Sequence, residues 1–387
     1  MKKSYKLAES VIDTKDTKQL INWLKENPRL TKDKLTIEFE RQWAKWIGTK
    51  YAIFCNSGSS ANLLMAYAAL MSGRLRNKKV IVPSVGWVTT IAPFIQFGFE
   101  PIMCGADQDN FGLNLEQLET LLKKHDPASV IMVQVLGVPS DMNAFARLQK
   151  KYKFLLMEDA CAALGSEYNG KKVGSFSNMS AFSFYFGHQL STIEGGMVNT
   201  NDKKLYDLLI MLRSHGWGKD LDAPTRTRLM HKHRVDDFHK PFTFFVPGFN
   251  VRSTDLNAFL GLEQMKKANK ISAIRHHNHE IYAKNLKHVS FQRWSSNAVP
   301  CSISFGALAR DVKHRIQIIN ALNANNIETR LFSAGNLGLH PFWYERYGVF
   351  HDAVADRVHE CGFFLPNNES LGEKDIRFIC DVVNNVG

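Results

Sequence analysis

The chain has 387 residues, 44% of them hydrophobic and 22% charged, a composition typical of a globular protein with one large and one smaller domain. No signal peptide and no apolar run of bilayer length is recognisable, and the six cysteines are scattered, so we expect a cytoplasmic protein with no membrane partner, disulfide framework or metal site. The net charge of +12 is spread along the chain, which favours an anionic diphosphate metabolite over a nucleic acid partner.

Short apolar runs alternate with helical segments through the first 200 residues. Thr31 is placed to cap a helix over 32–47, in which apolar residues recur at helical spacing. Further helices are predicted at 59–71 and 115–125. Strands are predicted at 51–55, 79–83, 100–106, 129–137, 154–158, 180–186 and 196–200. This alternation indicates an α/β domain with three α/β/α layers and a mostly parallel, seven-stranded sheet.

The pattern changes after Pro247-Gly248. A long helix over about 254–287 and a mixed α+β tail follow, which predicts a smaller C-terminal domain. We place the domain boundary at residue 248, so that 1–248 form the large domain and 249–387 the small one. The N-terminal segment can pack on the small domain.

Three motifs follow predicted strands, at the edge where open α/β sheets bind their ligands. In "NSGSSAN", Ser57 and Ser59 open a helix whose free N–H groups suit a phosphate, although serine-rich helix starts are usually only caps. "SVGWVTT" offers Trp87 as a stacking surface, but a tryptophan is more often part of a core. "FLLMED" ends in Asp159, which either caps a helix or pairs with a protonated heterocyclic nitrogen.

A fourth motif, "AFSFYFGHQLSTIEGGM", sets a lone His188 between a strand and a glycine turn. Together with "RSHGWG" and "GFNVRSTDLNAFLGLEQ", and in this order, the motifs resemble the pyridoxal-phosphate enzymes of the aspartate aminotransferase fold, fold type I. They are more closely similar to the sugar-nucleotide aminotransferase and dehydratase family. The resemblance extends over nearly the whole chain.

The resemblance implies a role for each cofactor residue. Asp159 would keep the pyridine nitrogen protonated, which makes the ring an electron sink, and Trp87 would stack on the ring. Asn250 would reach the cofactor phosphate of a neighbouring subunit, which implies a homodimer with shared active sites. The residues expected to hold the cofactor are Ser57, Gly58, Ser59, Trp87, Asp159, Ser183 and Asn250.

Substrate contacts are expected from two further segments. "ETRLFSAGNLGLHPFW", residues 328–343, resembles the substrate loop of one branch of the family, the 3-dehydratases. The residues expected to contact substrate are His215, Arg252, Arg330 and Asn336.

His188 departs from the pattern of most family members, which carry at this position a lysine that binds the cofactor aldehyde as a Schiff base. An imidazole moves protons near neutral pH but cannot form that bond, so pyridoxal or pyridoxamine 5'-phosphate is expected to be held without a covalent link. The substitution matches the 3-dehydratase branch. It implies a lyase that removes the 3-hydroxyl of a nucleotide-linked 4-keto-6-deoxyhexose. The resemblance to this branch further implies that the substrate is GDP-4-keto-6-deoxymannose. Glutamate would be the amino donor and ammonia would be released, in dideoxysugar and O-antigen lipopolysaccharide biosynthesis.

Three alternatives stay open. A CDP-sugar 3-dehydratase would carry an iron–sulfur cluster, against which the scattered cysteines argue. A sugar-nucleotide aminotransferase would have to transfer its amine without the lysine. A catalytically inactive binding protein with the same fold would not need to keep Asp159, Trp87 and a titratable side chain at position 188.

Overall fold

The computed structural model describes residues 3–386, which form an α/β structure around one large central sheet. The strands are β1 (Tyr51–Cys55), β2 (Lys79–Pro83), β3 (Glu100–Cys104), β4 (Ser129–Val133), β5 (Leu155–Asp159), β6 (Glu167–Tyr168), β7 (Lys171–Lys172), β8 (Met179–Ser183), β9 (Gly196–Thr200), β10 (Ser290–Phe291), β11 (Ala298–Val299), β12 (Ser304–Leu308) and β13 (Gly362–Pro366).

Helices cover both faces of this sheet and pack on the C-terminal strands. They are α1 (Thr14–Leu24), α2 (Lys34–Ile47), α3 (Gly58–Met71), α4 (Val88–Gln96), α5 (Leu115–His125), α6 (Met142–Tyr152), α7 (Lys203–Arg213), α8 (Ala223–Lys232), α9 (Asp255–Met265), α10 (Ala268–Asn285), α11 (Val312–Ala324), α12 (Pro341–Tyr347), α13 (Ala353–Cys361) and α14 (Glu373–Asn384). No helix within residues 3–386 combines the length and the apolarity that a membrane crossing requires.

The central sheet has seven strands within the described residues, in the order β1-β9-β8-β5-β4-β2-β3. Only β9 runs against its neighbours, β1 and β8, and the remaining pairs are parallel. Strands β4, β5, β8 and β9 are buried along their whole length, as expected where helices cover both faces. The predicted α/β class and the seven-stranded, mostly parallel sheet are confirmed.

Three strands end earlier than predicted, and the first is β3, which stops at Cys104 rather than at residue 106. β4 stops at Val133 because the chain turns through a short 3₁₀ segment in which Leu136 takes a left-handed φ of 53°. β8 stops at Ser183, so that the following residues leave the sheet before His188.

The predicted cap of α2 is wrong. The helix begins at Lys34, and Thr31 instead forms a bridge with Thr254. The N-cap residue Asp33 makes no side-chain cap hydrogen bond. The carboxylate of Asp255, at the start of α9, caps α2 instead: it accepts from the backbone N–H groups of residues 33, 35 and 36 and from the Thr36 hydroxyl, at 2.6–3.0 Å.

The single helix predicted over 254–287 is two helices, α9 and α10, separated at Lys266-Lys267. The break is held by contacts with the N-terminal segment. Gln264 donates to Asp16 at 2.7 Å, and the Lys267 ammonium lies 2.6 Å from the same carboxylate. These contacts dock α1 against the junction.

A second apolar core lies around β12 and β13, between α10, α11 and α14. Tyr5 belongs to this core and forms a bridge with Ile327, while the N–H of Leu7 donates to Glu328. Helix α9 follows residue 248 in the chain but packs on the part before it, because its Ala258 lies in the same apolar core as Phe39 of α2. The domain boundary at residue 248 therefore stays a prediction.

The Asp255 cap leads to a prediction about stability. Asp255→Ala leaves the buried amides at the start of α2 without acceptors, so we expect a loss of roughly 3 kcal/mol and a melting temperature lower by several degrees. Asp33→Ala is the matched control and should melt close to wild type, because the Asp33 side chain makes no cap bond. Equal melting temperatures for the two variants would show that Asp255 does not act as the cap.

Candidate functional site

A cleft of about 590 Å³ opens at the carboxyl ends of β1, β4, β5 and β8. Ligands of open α/β sheets bind at this edge. Further walls come from the segment after β2, from the loop after β8 and from β12. The structure brings to this cleft the predicted site residues Ser57, Gly58, Ser59, Trp87, Asp159, Ser183, His188 and Arg330.

Asp159 ends β5 with a carboxylate that is 5% exposed. Its Oδ2 accepts hydrogen bonds from Asn62 at 2.8 Å and from Thr90 at 2.6 Å, and its Oδ1 accepts from the N–H of Cys161 at 3.1 Å. All three donors are neutral. No lysine, arginine or histidine within residues 3–386 forms an ion pair with this carboxylate. A buried carboxylate that faces a cleft without a cation suits a protonated heterocyclic nitrogen.

The start of α3 forms a second wall. Ser57 is the N-cap and accepts from the N–H of Ser60 at 3.0 Å, while the first N–H groups of a helix have no acceptor inside it. A Cβ on Gly58 would lie 2.6 Å from the Cβ of Ser183 and 3.0 Å from the sulfur of Cys161. Only glycine lets the helix start approach β8 this closely. The result is a narrow cradle of N–H groups and hydroxyls that suits a phosphate.

Trp87 stands at the N-cap of α4 with 51% of its surface exposed. The guanidinium of Arg330 lies 6.0 Å from the centre of its ring and 4.9 Å from that of Phe364. An indole held open to the cleft offers a flat surface for a second ring. Together with the unpaired Asp159 and the cradle at Gly58, these residues fit pyridoxal phosphate.

His188 lies partly buried in the loop after β8, with its ring edge-on to Tyr185 at 6.3 Å. Burial, helped by the positive charges of Arg275 and Arg330, lowers the pKa of His188 to about 4. The imidazole is therefore neutral at pH 7. Its Nδ1 is buried and has no hydrogen-bond partner in the described structure.

The glycine turn after His188 is required by close contacts. A Cβ on Gly196 would clash with the carbonyl of Ser57, and one on Gly195 would lie 2.9 Å from the ring of Phe54. Before the turn, Ile193 takes a φ of 72°, which is unfavourable for a β-branched residue. The loop is held by Asn257, whose amide donates to the carbonyl of Thr192 at 2.7 Å.

Four predicted site residues, the last of them Asn336, lie outside the lining of this cleft. His215 and Asn250 are exposed on neighbouring segments joined by a bridge between Ser214 and Asn250. Arg252 donates to the side chain of Asn250 at 3.0 Å.

Asn336 is fully buried and also away from the cleft lining. Its amide donates to the carbonyl of Phe350 at 3.0 Å and to Asp356 at 2.6 Å, and its oxygen accepts from the N–H of Gly338 at 2.8 Å. These bonds tie the loop before α12 to Phe350 and to α13, and the role of Asn336 toward a substrate stays a prediction.

Several lining residues were not identified from the sequence. Asn62 and Thr90 orient Asp159, and each follows a predicted site residue, Ser59 or Trp87, by three positions. That spacing places them on the same helix face, a signal that was available. Leu7 also lines the cleft, and no local pattern brings the N-terminus there.

Comparisons with known proteins agree with this site. The model of the DegT/DnrJ/EryC1/StrS aminotransferase family matches residues 11–384. The chain is 30% identical to GDP-4-keto-6-deoxy-D-mannose 3-dehydratase of Escherichia coli O55:H7, over 98% of this chain and 99% of that one. It is 26% identical to GDP-perosamine synthase of Escherichia coli O157:H7, over 90% and 88% of the two chains.

Among solved structures, that of the E. coli GDP-4-keto-6-deoxy-D-mannose-3-dehydratase with bound hydrated PLP superimposes with a TM-score of 0.89 and 26% identity. The match covers 99% of this chain and 100% of the other. The extent of these matches, together with a cleft that fits the cofactor, shows that this chain belongs to the DegT/DnrJ/EryC1/StrS aminotransferase family.

Proposed function

We propose that the protein is a pyridoxamine-phosphate-dependent 3-dehydratase of a nucleotide-linked 4-keto-6-deoxyhexose. The observation that carries this proposal is the cleft itself, which has a histidine at position 188 and no lysine among the lining residues of the described chain. The name of the 3-dehydratase relative supports GDP-4-keto-6-deoxymannose as the substrate. Dideoxysugar synthesis for lipopolysaccharide and a cytoplasmic location belong to the same proposal.

The cofactor residues are proposed from their places in the cleft. Asp159 holds the pyridine nitrogen protonated, the start of α3 and Ser183 bind the phosphate, and Trp87 covers one ring face. Bound in this way, pyridoxamine phosphate supplies an amine for the 4-keto carbon and a ring that accepts electron density. Because position 188 carries no lysine, these contacts hold the cofactor without a covalent link.

His188 is proposed as the acid and base. Its neutral imidazole accepts a proton at Nε2, and the resulting imidazolium can return the proton to the departing 3-hydroxyl. An imidazole has no primary amine that could displace an amino sugar from the cofactor. Elimination is therefore favoured over return of an amino sugar.

The net reaction balances with glutamate as donor. The sugar loses its 3-hydroxyl and gains two electrons, glutamate is oxidised to 2-oxoglutarate, and its nitrogen leaves as ammonia. The water lost in the elimination is consumed when the nitrogen is hydrolysed from the sugar as ammonia, so no net water is needed.

A homodimer with shared sites is also proposed. Asn250 is exposed, and the next residue, Val251, accepts a hydrogen bond from the N–H of Asn56 at 3.0 Å, beside the phosphate cradle. An exposed amide at this position can contact the phosphate cradle of a second subunit. His215 and Arg252, on adjoining segments, are proposed to approach the substrate in the same manner.

An aminotransferase is the second candidate, and the GDP-perosamine synthase relative favours it. That activity requires a group that returns the amine to the sugar. His188 does not supply one, so we place this candidate second.

The absence of a covalent link can be tested directly. We expect dialysis to remove activity and added pyridoxamine phosphate with glutamate to restore it. After borohydride reduction of the enzyme loaded with pyridoxal phosphate, peptide mapping should find no modified lysine. Pyridoxal fixed to any lysine would contradict the role given to His188.

Asp159→Asn should lower the turnover rate by roughly a hundredfold or more, because an amide cannot supply the charge that keeps the ring nitrogen protonated. Steady-state product formation measures the loss. Circular dichroism and the melting temperature should stay close to wild type. A near-normal rate would show that Asp159 only organises its neighbours Asn62 and Thr90.

Two substitutions at position 188 separate proton transfer from covalent binding. His188→Asn keeps the size but removes the titratable nitrogen, so we expect normal cofactor binding and a rate lower by about a hundredfold to ten-thousandfold. His188→Lys should bind pyridoxal phosphate covalently, give a yellow protein that borohydride bleaches, and dehydrate slowly. An asparagine variant as fast as wild type would mean that His188 only fills space.

A further inference from the structure

The loop that carries His188 leaves the packed layers of the protein for a few residues. Tyr185 and Phe186 are 51% and 45% exposed, and the N–H of His188 donates to the carbonyl of Tyr185 at 3.0 Å, a turn within the loop itself. The Nδ1 of His188 has no hydrogen-bond partner in the described structure. The direction of the imidazole therefore depends on where the chain is next anchored. Gln189 is the next residue, and it is fully buried.

The side-chain amide of Gln189 bridges two segments from different parts of the chain. Its nitrogen donates to the carbonyl of Ala162 at 2.9 Å and to the carbonyl of Cys301 at 2.7 Å. Because both acceptors are carbonyls, the nitrogen end of the amide must face them, and the orientation of the side chain is fixed. Its Oε1 is buried without a partner in the described structure, so these two bonds hold the side chain in this conformation.

The first acceptor lies on the turn after β5. Ala162 follows Asp159 by three residues and lines the same cleft. Asp159 closes this turn, because its Oδ1 accepts from the N–H of Cys161 at 3.1 Å. A shift of Gln189 away from Ala162 would therefore change the distance between the His188 loop and the carboxylate proposed to hold the ring nitrogen.

The second acceptor lies in the segment before β12, which is itself held by buried hydrogen bonds. The N–H of Cys301 donates to the hydroxyl of Ser166 at 2.9 Å, and that hydroxyl donates to the carbonyl of Gly137 at 2.7 Å. Cys301 is thus a fixed point, and the amide of Gln189 ties the His188 loop to it.

We propose that Gln189 is a positioning residue, which holds the imidazole of His188 inside the cofactor cleft and away from bulk water. We call its bonds to Ala162 and Cys301 the Gln189 clamp. Gln189 does not belong to the cleft lining of the described chain, so it acts through His188 and not on a ligand. This inference rests on the proposed function in one respect, that His188 exchanges protons with a ligand.

The charges around His188 make its titration a measure of the clamp. Arg275 of α10, which is 2% exposed, and Arg330, in the segment after α11, carry the nearby positive charges, and Tyr185 lies beside the imidazole on the same loop. The other titratable side chains of the cleft lining are those of Asp159, Cys161 and Glu194. Burial and the two arginines lower the pKa of His188 to about 4. An imidazole released into water would regain a pKa of about 6.5.

NMR titration of the histidine side chains tests the clamp without turnover and without bound cofactor. Gln189→Met keeps the length of the side chain and removes both donors. We therefore expect the pKa of His188 to rise from about 4 toward about 6.5, by about one pH unit or more, as water reaches the ring. The His188→Asn variant identifies the resonance, because it alone lacks that signal.

Gln292→Met is the matched control. Gln292 is 1% exposed, and its amide also donates to two backbone carbonyls, those of Asn110 at 2.7 Å and Val135 at 3.0 Å. Both methionine variants lose two buried hydrogen bonds, so both should melt several degrees below wild type. Only the Gln189 variant should change the pKa of His188.

Turnover gives a second measurement. In the cofactor-loaded enzyme, Gln189→Met should lower kcat about tenfold or more and leave KM within about twofold of wild type, because a displaced imidazole slows proton transfer without changing substrate contacts. Gln189→Asn keeps the amide but is one methylene shorter and cannot reach both carbonyls. It replaces the methionine variant if that variant does not fold, and the same changes are expected.

A pKa of His188 that stays near wild type in a folded Gln189 variant would show that packing alone holds the loop, and would overturn the inference. An equal rise in Gln292→Met, or a kcat unchanged in the Gln189 variants of an active enzyme, would overturn it as well. If the pKa rises only in the Gln189 variants but wild type forms no 3-deoxy product, the proposed reaction fails and the Gln189 clamp stands.

Discussion

The backbone of Gly196 lies against the carbonyl of Ser57, and the rest of the site depends on this contact. Gly196 pairs with Cys55 at the end of β1 and with Ser183 at the end of β8. One glycine thus joins two parallel strands through an antiparallel one and sets the start of α3 beside them. A side chain here would push the helix start away from β8, and the cradle around Gly58 would open. The diglycine after the His188 loop is therefore a packing requirement.

One strand places two carboxylates in different surroundings. Glu158 and Asp159 are neighbours on β5, and their side chains point to opposite faces of the sheet. Glu158 faces the interior, where it accepts from Gln134 and from the N–H of Gly174, and burial raises its pKa. Asp159 faces the cleft. Only the second carboxylate can meet a ligand, so the alternation of the strand decides which of the two is available for chemistry.

Beside the central sheet, a buried arginine forms an ion pair within the chain. Arg213, 1% exposed, forms an ion pair with Glu40 and donates to the carbonyl of Phe54 at 2.9 Å. The carboxylate of Glu40 also accepts from the N–H of Phe54 at 2.8 Å. This pair ties α2 and α7 to Phe54 of β1. Asp159 lacks such a partner among the described residues, and the pyridine nitrogen of the cofactor is proposed to take that place.

The sequence by itself determined the seven strands, their order of occurrence and the motifs that follow four of them. Those features are local, because burial on both faces leaves continuous apolar runs and helix starts need small polar residues. It also determined that position 188 carries an imidazole. Only the tertiary structure decided that Asp255 caps α2, that Asn336 ties its loop to α13 and that Asn62 orients Asp159. These partners come from elements far apart in the chain, and their pairing follows from how the layers pack, which no local pattern encodes.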